Sequence, residues 1–157
     1  MKKILALFAV TFCLFSQLAQ AKDTAVLLPI GGTLTATEKS SLTQEIVTNL
    51  APQFELTYGD EVDQFVKKAF QEESKKKDCD ETNCYRRIAA KFHAEKIVAL
   101  RLTQIGKARQ LMVLHIYDVQ TGEVTASEKG ECTDCSLEKL KTLSKKLISA
   151  TLKSSPK

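Results

Sequence analysis

The fold is decided by residues 96–129, KIVALRLTQIGKARQLMVLHIYDVQTGEVTASEK. Two short turn signals, Gly106-Lys107 and Thr121-Gly122, divide this stretch into three segments with the apolar content of strands. These segments are residues 96–105, 109–119 and 123–129. In the middle segment both alternating sets of side chains are mostly apolar: Leu111, Val113, His115 and Tyr117 on one face, and Met112, Leu114 and Ile116 on the other. We therefore predict an antiparallel meander whose middle strand is central in the sheet and covered by helices.

Strand and helix patterns alternate in the residues before the meander. A buried strand is predicted at 24–30, and a short alternating strand at 54–58. Apolar residues at helical spacing predict three helices, which begin near Thr35, near Asp60 and near residue 80. Asp60 is expected to be the N-cap of the second helix, and Asp80 or Thr82 the N-cap of the third.

A last helix is predicted to follow Ser136, with a buried stripe of leucine and isoleucine from Leu137 to Leu152. The complete order is β-α-β-α-α-β-β-β-α. This order predicts a single domain of the α/β (α+β) class, in which helices pack on a mixed β-sheet that ends in the three-strand antiparallel meander.

Residues 1–21 have the three parts of a signal peptide. A basic start at Lys2 and Lys3 is followed by an apolar run from Ile4 to Leu18, which is too short for a membrane span. The small residues of Ala19-Gln20-Ala21 then predict cleavage after Ala21. Cleavage leaves residues 22–157 as one domain and removes two lysines and no acid, so the formal charge falls from +4 to +2.

This start favours export to the periplasm, with secretion from the cell as the alternative. It argues against a cytosolic enzyme, and the composition argues against a polytopic membrane protein, a disordered chain or a strongly basic nucleic-acid binder. No transmembrane segment is expected in the mature chain.

Four of the five cysteines remain after cleavage, since Cys13 lies in the apolar run. They are Cys79, Cys84, Cys132 and Cys135. An even number of cysteines in an exported chain predicts disulfides, for which three connectivities are possible. The short spacings favour the local pairs Cys79 with Cys84 and Cys132 with Cys135, although crossed pairs stay open.

Two other interpretations of the cysteines are a tetrathiolate zinc site and a redox-active pair. Four free thiolates are disfavoured in an oxidising compartment. Cys132-Thr133-Asp134-Cys135 precedes a helix, as a thioredoxin motif does, but no strands follow it as they do in that fold.

No constellation of catalytic residues is visible. His93 and His115 are isolated from each other and from any nucleophile motif. Gly31-Gly32 follows the first strand but lacks the other residues of a dinucleotide-binding or phosphate-binding loop, so we interpret it as a turn. We therefore predict no catalytic, cofactor-binding or metal-binding residues and no enzyme activity.

The charge is distributed unevenly along the mature chain. Residues 136–157 contain six lysines and one acid, whereas residues 22–135 carry a net negative charge. A basic exposed helix face most often maintains solubility. Docking to an anionic partner is the second interpretation, and peripheral membrane contact stays open, but sparse aromatic residues argue against nucleic acid.

Several segments resemble a known bacterial superfamily. AVLLPI at residues 25–30, IAAKFHAEKIV at 88–98, DVQTGEV at 118–124 and the later Cys-x-x-Cys-Ser resemble its disulfide-containing branch of small exported proteins. The superfamily includes the TolB amino-terminal domain, curli-secretion lipoproteins and lipoprotein activators of peptidoglycan synthases. The resemblance implies an α/β domain that serves as a periplasmic adaptor. The chain departs from its relatives because it has no propeller and no acylated cysteine at the mature start.

These observations lead to one main hypothesis, a non-catalytic accessory or adaptor protein in the periplasm of a Gram-negative bacterium. It would act through protein–protein interaction with an envelope protein whose identity the sequence does not give. The alternative from another class is a thiol-disulfide redox protein that uses Cys132 and Cys135.

The cysteine interpretations predict different masses for the purified protein. Two structural disulfides predict that the intact mass rises by four hydrogens after complete reduction, because each bond takes up two. Mass spectrometry with and without reductant measures this change. A mass that does not change on reduction, or a stoichiometric metal ion in the native spectrum, would contradict the disulfide interpretation.

Overall fold

The computed structural model describes residues 22–75 and 80–154. Its elements in chain order are β1 (Asp23–Leu27), α1 (Ala36–Leu50), β2 (Phe54–Thr57), α2 (Asp60–Glu73), α3 (Glu81–Phe92), β3 (Lys96–Gln104), β4 (Arg109–Asp118), β5 (Glu123–Thr133) and α4 (Leu137–Ser154). The predicted order of elements and the α+β class are confirmed. The signal-peptide prediction and Cys79 fall outside the described residues.

Five strands form one mixed sheet in the order β2-β1-β3-β4-β5. β1 lies parallel to both β2 and β3, while β3, β4 and β5 form the antiparallel meander. The chain leaves β1 in one direction to form β2 and crosses back over β1 to form β3. Because such crossovers are right-handed, α1 is placed on one face of the sheet and α2 with α3 on the other.

The first face is sealed by α1 and α4. Met112, Leu114 and Ile116 of β4 point into this side and are at most 1 % exposed. They pack with Leu42, Ile46 and Leu50 of α1 and with Leu140, Leu147 and Ile148 of α4. Ser144 and Thr151 of α4 are also fully buried here, because their hydroxyls donate to the carbonyls of Lys141 and Leu147, both at 2.8 Å.

The second face is covered only in part. Val62 and Val66 of α2 and Ile88 of α3 pack on Val26, Ile97 and Tyr117. Beyond Tyr117, the side chains of Leu111, Val113 and His115 on this face are only half-buried. The expectation that β4 is central and covered on both faces was therefore wrong: β3 is the central strand, and α2 and α3 extend only over the β1 side of the sheet.

Two element boundaries also differ from prediction. Asp60 is the first residue of α2 rather than its N-cap, because Gly59 precedes it with φ of 99° and turns the chain sharply after β2. Its carboxylate still lies in the first turn, where it complements the helix dipole. β5 continues four residues past Lys129 to Thr133, since Glu131 and Cys132 pair with Leu111 and Gln110.

Most other helix ends follow the sequence signals. Thr35 and Glu38 form a complete capping box at α1, and the Asp80 side chain accepts from Thr82 N at 2.9 Å at the start of α3. α3 ends at His93, which has a left-handed conformation with φ of 53°.

An ion pair joins the two ends of the β3–β4 hairpin. Lys96 Nζ donates to Asp118 Oδ2, and Thr121 N donates to Asp118 Oδ1 at 2.7 Å. The hydrogen bond from Lys96, followed by the one from Thr121, lowers the pKa of the Asp118 carboxyl. Because the folded pKa lies below the unfolded value, this group stabilises the fold above about pH 4 and loses that effect as the pH falls further.

Asp118→Asn is therefore expected to lower the free energy of unfolding by about 1–2 kcal/mol at pH 7. The difference from the wild-type protein should shrink below about pH 4, as the native carboxylate becomes protonated. Urea denaturation between pH 3 and pH 7 measures both effects.

Glu123→Gln is the matched control for this variant. Glu123 lies opposite Asp118 on β5, is exposed, and loses the same charge on substitution. Equal destabilisation by the two variants, or an Asp118→Asn effect that persists at pH 3, would show that the buried ion pair is not the cause.

Candidate functional site

The uncovered part of the second face forms a groove, which we call the sheet groove. It has a volume of about 470 Å³ and lies between the sheet and the helices α2 and α3. Its floor is formed by strand residues, chiefly Ala99, Val113, His115, Tyr117 and Val124, and its wall by Val66, Phe70 and Tyr85. Val124 is 52 % exposed, which is unusual for a large apolar side chain.

Two polar atoms of the sheet groove residues are buried without a hydrogen-bond partner in the described part of the chain. They are Nδ1 of His115 and Oη of Tyr117. The cross-strand neighbours of His115 are Ala99 and Ser127. Most buried polar side-chain atoms in native proteins are hydrogen-bonded, so these two atoms are exceptions. Both are enclosed by protein atoms, although the two side chains line the groove.

The Tyr117 hydroxyl lies at the hairpin end of the groove. A Cβ atom built on Gly122 would lie 3.6 Å from this hydroxyl and 3.1 Å from Arg86 Nη2. Gly122 has φ of 76° in the turn between β4 and β5. The glycine therefore leaves this corner open, and a side chain here would crowd both groups.

A tyrosine, an acid and an arginine form the rim of the groove. Tyr85 Oη donates to Glu81 Oε1 at 2.6 Å, and Arg101 Nη2 lies 3.8 Å from the same oxygen. Burial, together with the bond to Glu81, raises the pKa of the Tyr85 phenol. Tyr85 is therefore a neutral donor that is already paired, in contrast to its neighbour Tyr117, whose ring centroid is 5.2 Å away.

This arrangement is suited to binding. The floor is mostly apolar, the wall is largely aromatic, and the polar groups of Glu81 and Arg101 lie at the rim. Binding sites with these properties gain affinity from apolar burial and orientation from a few polar contacts.

The cysteines lie on two sides of the sheet. Cys132, at the end of β5, is bonded to Cys135, which precedes α4, and both contact the core on the first face. Cys84 is buried in α3, on the second face, with Sγ 3.7 Å from the Ala69 carbonyl oxygen. The structure therefore does not bring Cys84 together with Cys132 and Cys135, and the pair of Cys79 with Cys84 stays a prediction.

The remaining residues that the sequence singled out have structural positions. Gly32 is in the predicted turn with φ of 125°, and an added Cβ there would lie 2.7 Å from the Leu102 carbonyl oxygen. Gly31 forms a bridge with Arg101. The carbonyl of His93 accepts from Thr24 Oγ1 at 3.1 Å, at the end of α3.

Within residues 22–75 and 80–154, no group of three or more His, Cys, Asp or Glu side chains is placed to hold a metal ion. Among the helices that the structure describes, none combines the length and the apolar content of a membrane span.

Sequence reasoning missed the sheet groove. The signal was present in β4, where both faces are apolar, but an apolar face does not reveal whether the chain's own helices cover it.

Tyr117→Phe is expected to leave the free energy of unfolding unchanged or raise it by up to about 1 kcal/mol. The reason is that the substitution removes a buried hydroxyl that has no partner in the fold. Equilibrium urea unfolding measures the change.

Tyr85→Phe is the control, since it removes a hydroxyl that is bonded to Glu81 on the adjacent ring. It should lower the free energy of unfolding by about 1 kcal/mol. A Tyr117→Phe variant that is destabilised as strongly as Tyr85→Phe would mean that the Tyr117 hydroxyl is structural.

Comparisons with known proteins add a fold relationship. No protein-family model and no curated protein matches the chain. Among solved structures, the hypothetical protein CT253 from Chlamydia trachomatis is 13 % identical with a TM-score of 0.51, and the match covers 84 % of this chain and 94 % of that chain. The LpoB C-terminal domain from Salmonella enterica is 20 % identical with a TM-score of 0.48, over 79 % of this chain and 92 % of that chain. TolB from Acinetobacter baumannii is 12 % identical with a TM-score of 0.49, over 85 % of this chain and 29 % of that chain.

TolB, which the sequence resemblance named, is thus among the structural neighbours, at low identity. At such identities a structural match is informative about the fold and not about the activity. The chain shares the fold of CT253, a single α+β domain with one mixed sheet.

Proposed function

We propose that this chain is a non-catalytic accessory protein of the periplasm that binds another envelope protein through the sheet groove. The observation that carries the proposal is the half-covered second face, where the chain's own helices leave an apolar groove open and Val124 is 52 % exposed. A bound polypeptide can complete this layer, because it supplies both apolar side chains and backbone hydrogen-bonding groups.

The expected energetics are those of a modest protein interface. Full burial of an apolar side chain such as Val124 contributes roughly 1.5–3 kcal/mol. A partner would need to cover on the order of 800 Å² of this protein for a stable complex. The groove would then be the centre of the interface, and the rim residues Glu81 and Arg101 its polar edge.

The proposed location depends on the start of the chain. We propose that residues 1–21 are a signal peptide, that cleavage follows Ala21, and that residues 22–157 fold in the periplasm. An oxidising compartment is consistent with the bond between Cys132 and Cys135. Edman sequencing of protein released by osmotic shock should begin at Lys22, whereas protein found only in the culture medium would indicate secretion.

Site-specific photo-cross-linking tests the binding proposal in intact cells. The photoreactive residue p-benzoylphenylalanine replaces Arg101, whose side chain is 71 % exposed at the groove rim. Illumination is expected to give a discrete adduct with one envelope protein. Adding Val113→Asp, which places a charge on the groove floor, should abolish the adduct while circular dichroism shows that the fold is kept.

The matched control places the same photoreactive residue at Gln44, which is exposed on α1 on the opposite side of the sheet. No adduct from position 101, or the same adduct from both positions, would count against the sheet groove as the binding surface.

A further inference from the structure

The outer edge of β5 is a second surface that the sheet groove does not use. β5 is the last strand of the sheet and contains 11 residues. Within the described residues it pairs along its length with β4 alone. A long edge strand presents a row of backbone N–H and C=O groups that can pair with another strand.

A row of lysines runs beside this edge on α4. Lys139, Lys146 and Lys153 are seven residues apart, so they lie on the same side of the helix at intervals of about 10 Å. Lys139 and Lys146 line a second groove of about 470 Å³, together with Leu143 of α4, Cys132 and Thr133 of β5, and two acids, Glu131 and Glu138. The helix as a whole contains five lysines and one glutamate.

The lysines are not neutralised within the fold. Lys139 Nζ donates to the carbonyls of Thr133 and Asp134 at 3.0 and 3.1 Å, so it stays at the edge with its charge uncompensated. Lys146 and Lys153 are exposed and form no ion pair with other described residues. Glu138 is paired with Lys141, and Glu128 of β5 lies on this face opposite Leu114. Within the described residues, the three lysines outnumber this one unpaired acid, so the α4 side of the edge has a net positive charge.

We propose that the β5 edge binds an extended, acidic segment of a partner protein as a sixth strand. Main-chain hydrogen bonds to β5 would supply the pairing, and acidic side chains at alternate positions would face the lysine row. On the other face of β5, Lys129 and Glu131 offset each other's charge, so the preference for acidic side chains comes from the α4 side. This surface is separate from the sheet groove, so the inference goes beyond the proposed function.

The same charges argue against a second copy of this chain as the occupant. If two β5 strands paired edge to edge around a two-fold axis normal to the sheet, their α4 helices would lie side by side on one face. The two lysine rows would then oppose each other, and repulsion between like charges would disfavour that dimer. An acidic strand has the complementary charge.

The disulfide between Cys132 and Cys135 fixes the start of α4 beside the end of β5. The bond between Cys132 and Cys135 joins the end of β5 to the residues that precede α4, with 5.5 Å between the two Cα atoms. It thereby holds the start of the lysine row next to the edge.

A pair of synthetic peptides tests the proposal on the oxidised mature protein. The probe is an end-blocked decapeptide in which glutamate alternates with threonine and valine, and the comparison peptide has lysine in place of glutamate. We expect fluorescence anisotropy to show binding of the glutamate peptide alone. Hydrogen exchange should show new protection in the β5 amides, and the affinity should fall as salt is raised.

The double variant Lys146→Glu/Lys153→Glu should bind the glutamate peptide roughly tenfold more weakly or worse. Lys67→Glu/Lys68→Glu on α2 is the matched control, because it makes the same charge change at exposed positions on the other side of the sheet. It should leave the affinity unchanged.

Several results would overturn the proposal. They are the absence of binding at millimolar peptide, equal binding of the two peptides, equal losses in the two double variants, and protection outside β5. None of these results alters the cross-link expected from position 101, because Arg101 lies on the second face of the sheet and α4 lies on the first. Failure of the edge proposal is thus distinguishable from failure of the proposed function.

Discussion

The pairing of β3 with β1 on one side and β4 on the other is the constraint on which the rest of the structure depends. β3 joins the parallel part of the sheet to the antiparallel meander. Its alternating side chains serve both layers, since Val98 and Leu100 are buried on the first face and Ile97 on the second. If this strand were lost, neither layer of helices would have a continuous surface on which to pack.

The two faces of the sheet differ in how completely helices cover them. The first face is closed by two long helices and contains most of the largest fully buried side chains, so it contributes most to the stability of the fold. The second face is closed only where α2 and α3 reach, so the chain's own helices cover β4 and β5 only in part. The helices on the two faces also differ in charge. On the second face, α2 has three acids in its first turn, whereas α4 on the first face has five lysines.

Local patterns were sufficient to predict the helices and strands, because hydrophobic periodicity, capping residues and turn residues act over a few positions. The apolar residues from Leu111 to Tyr117 predicted a strand, and Thr35 predicted the start of a helix. The place of β4 in the sheet could not be predicted in this way, because strand order depends on which distant segments pair. Asp60 was misassigned because Gly59 could take a positive φ that no neighbouring residue signals. The sheet groove was missed for a related reason: an apolar strand face looks the same whether the chain or a partner covers it.

The position of β1 has a consequence for the order of assembly. β1 is the first strand in the chain, yet it lies between β2 and β3 and pairs with residues 71 positions later, as at Val26 opposite Ile97. Paired residues of the β3–β4–β5 meander are at most 24 positions apart, as at Arg109 opposite Thr133, and contacts between residues that are closer in sequence form faster. In a chain emerging from a ribosome or a translocation channel, β1 can pair with β2 once residue 57 has appeared. Its pairing with β3 needs residues up to 98, and the complete sheet needs residues up to 133.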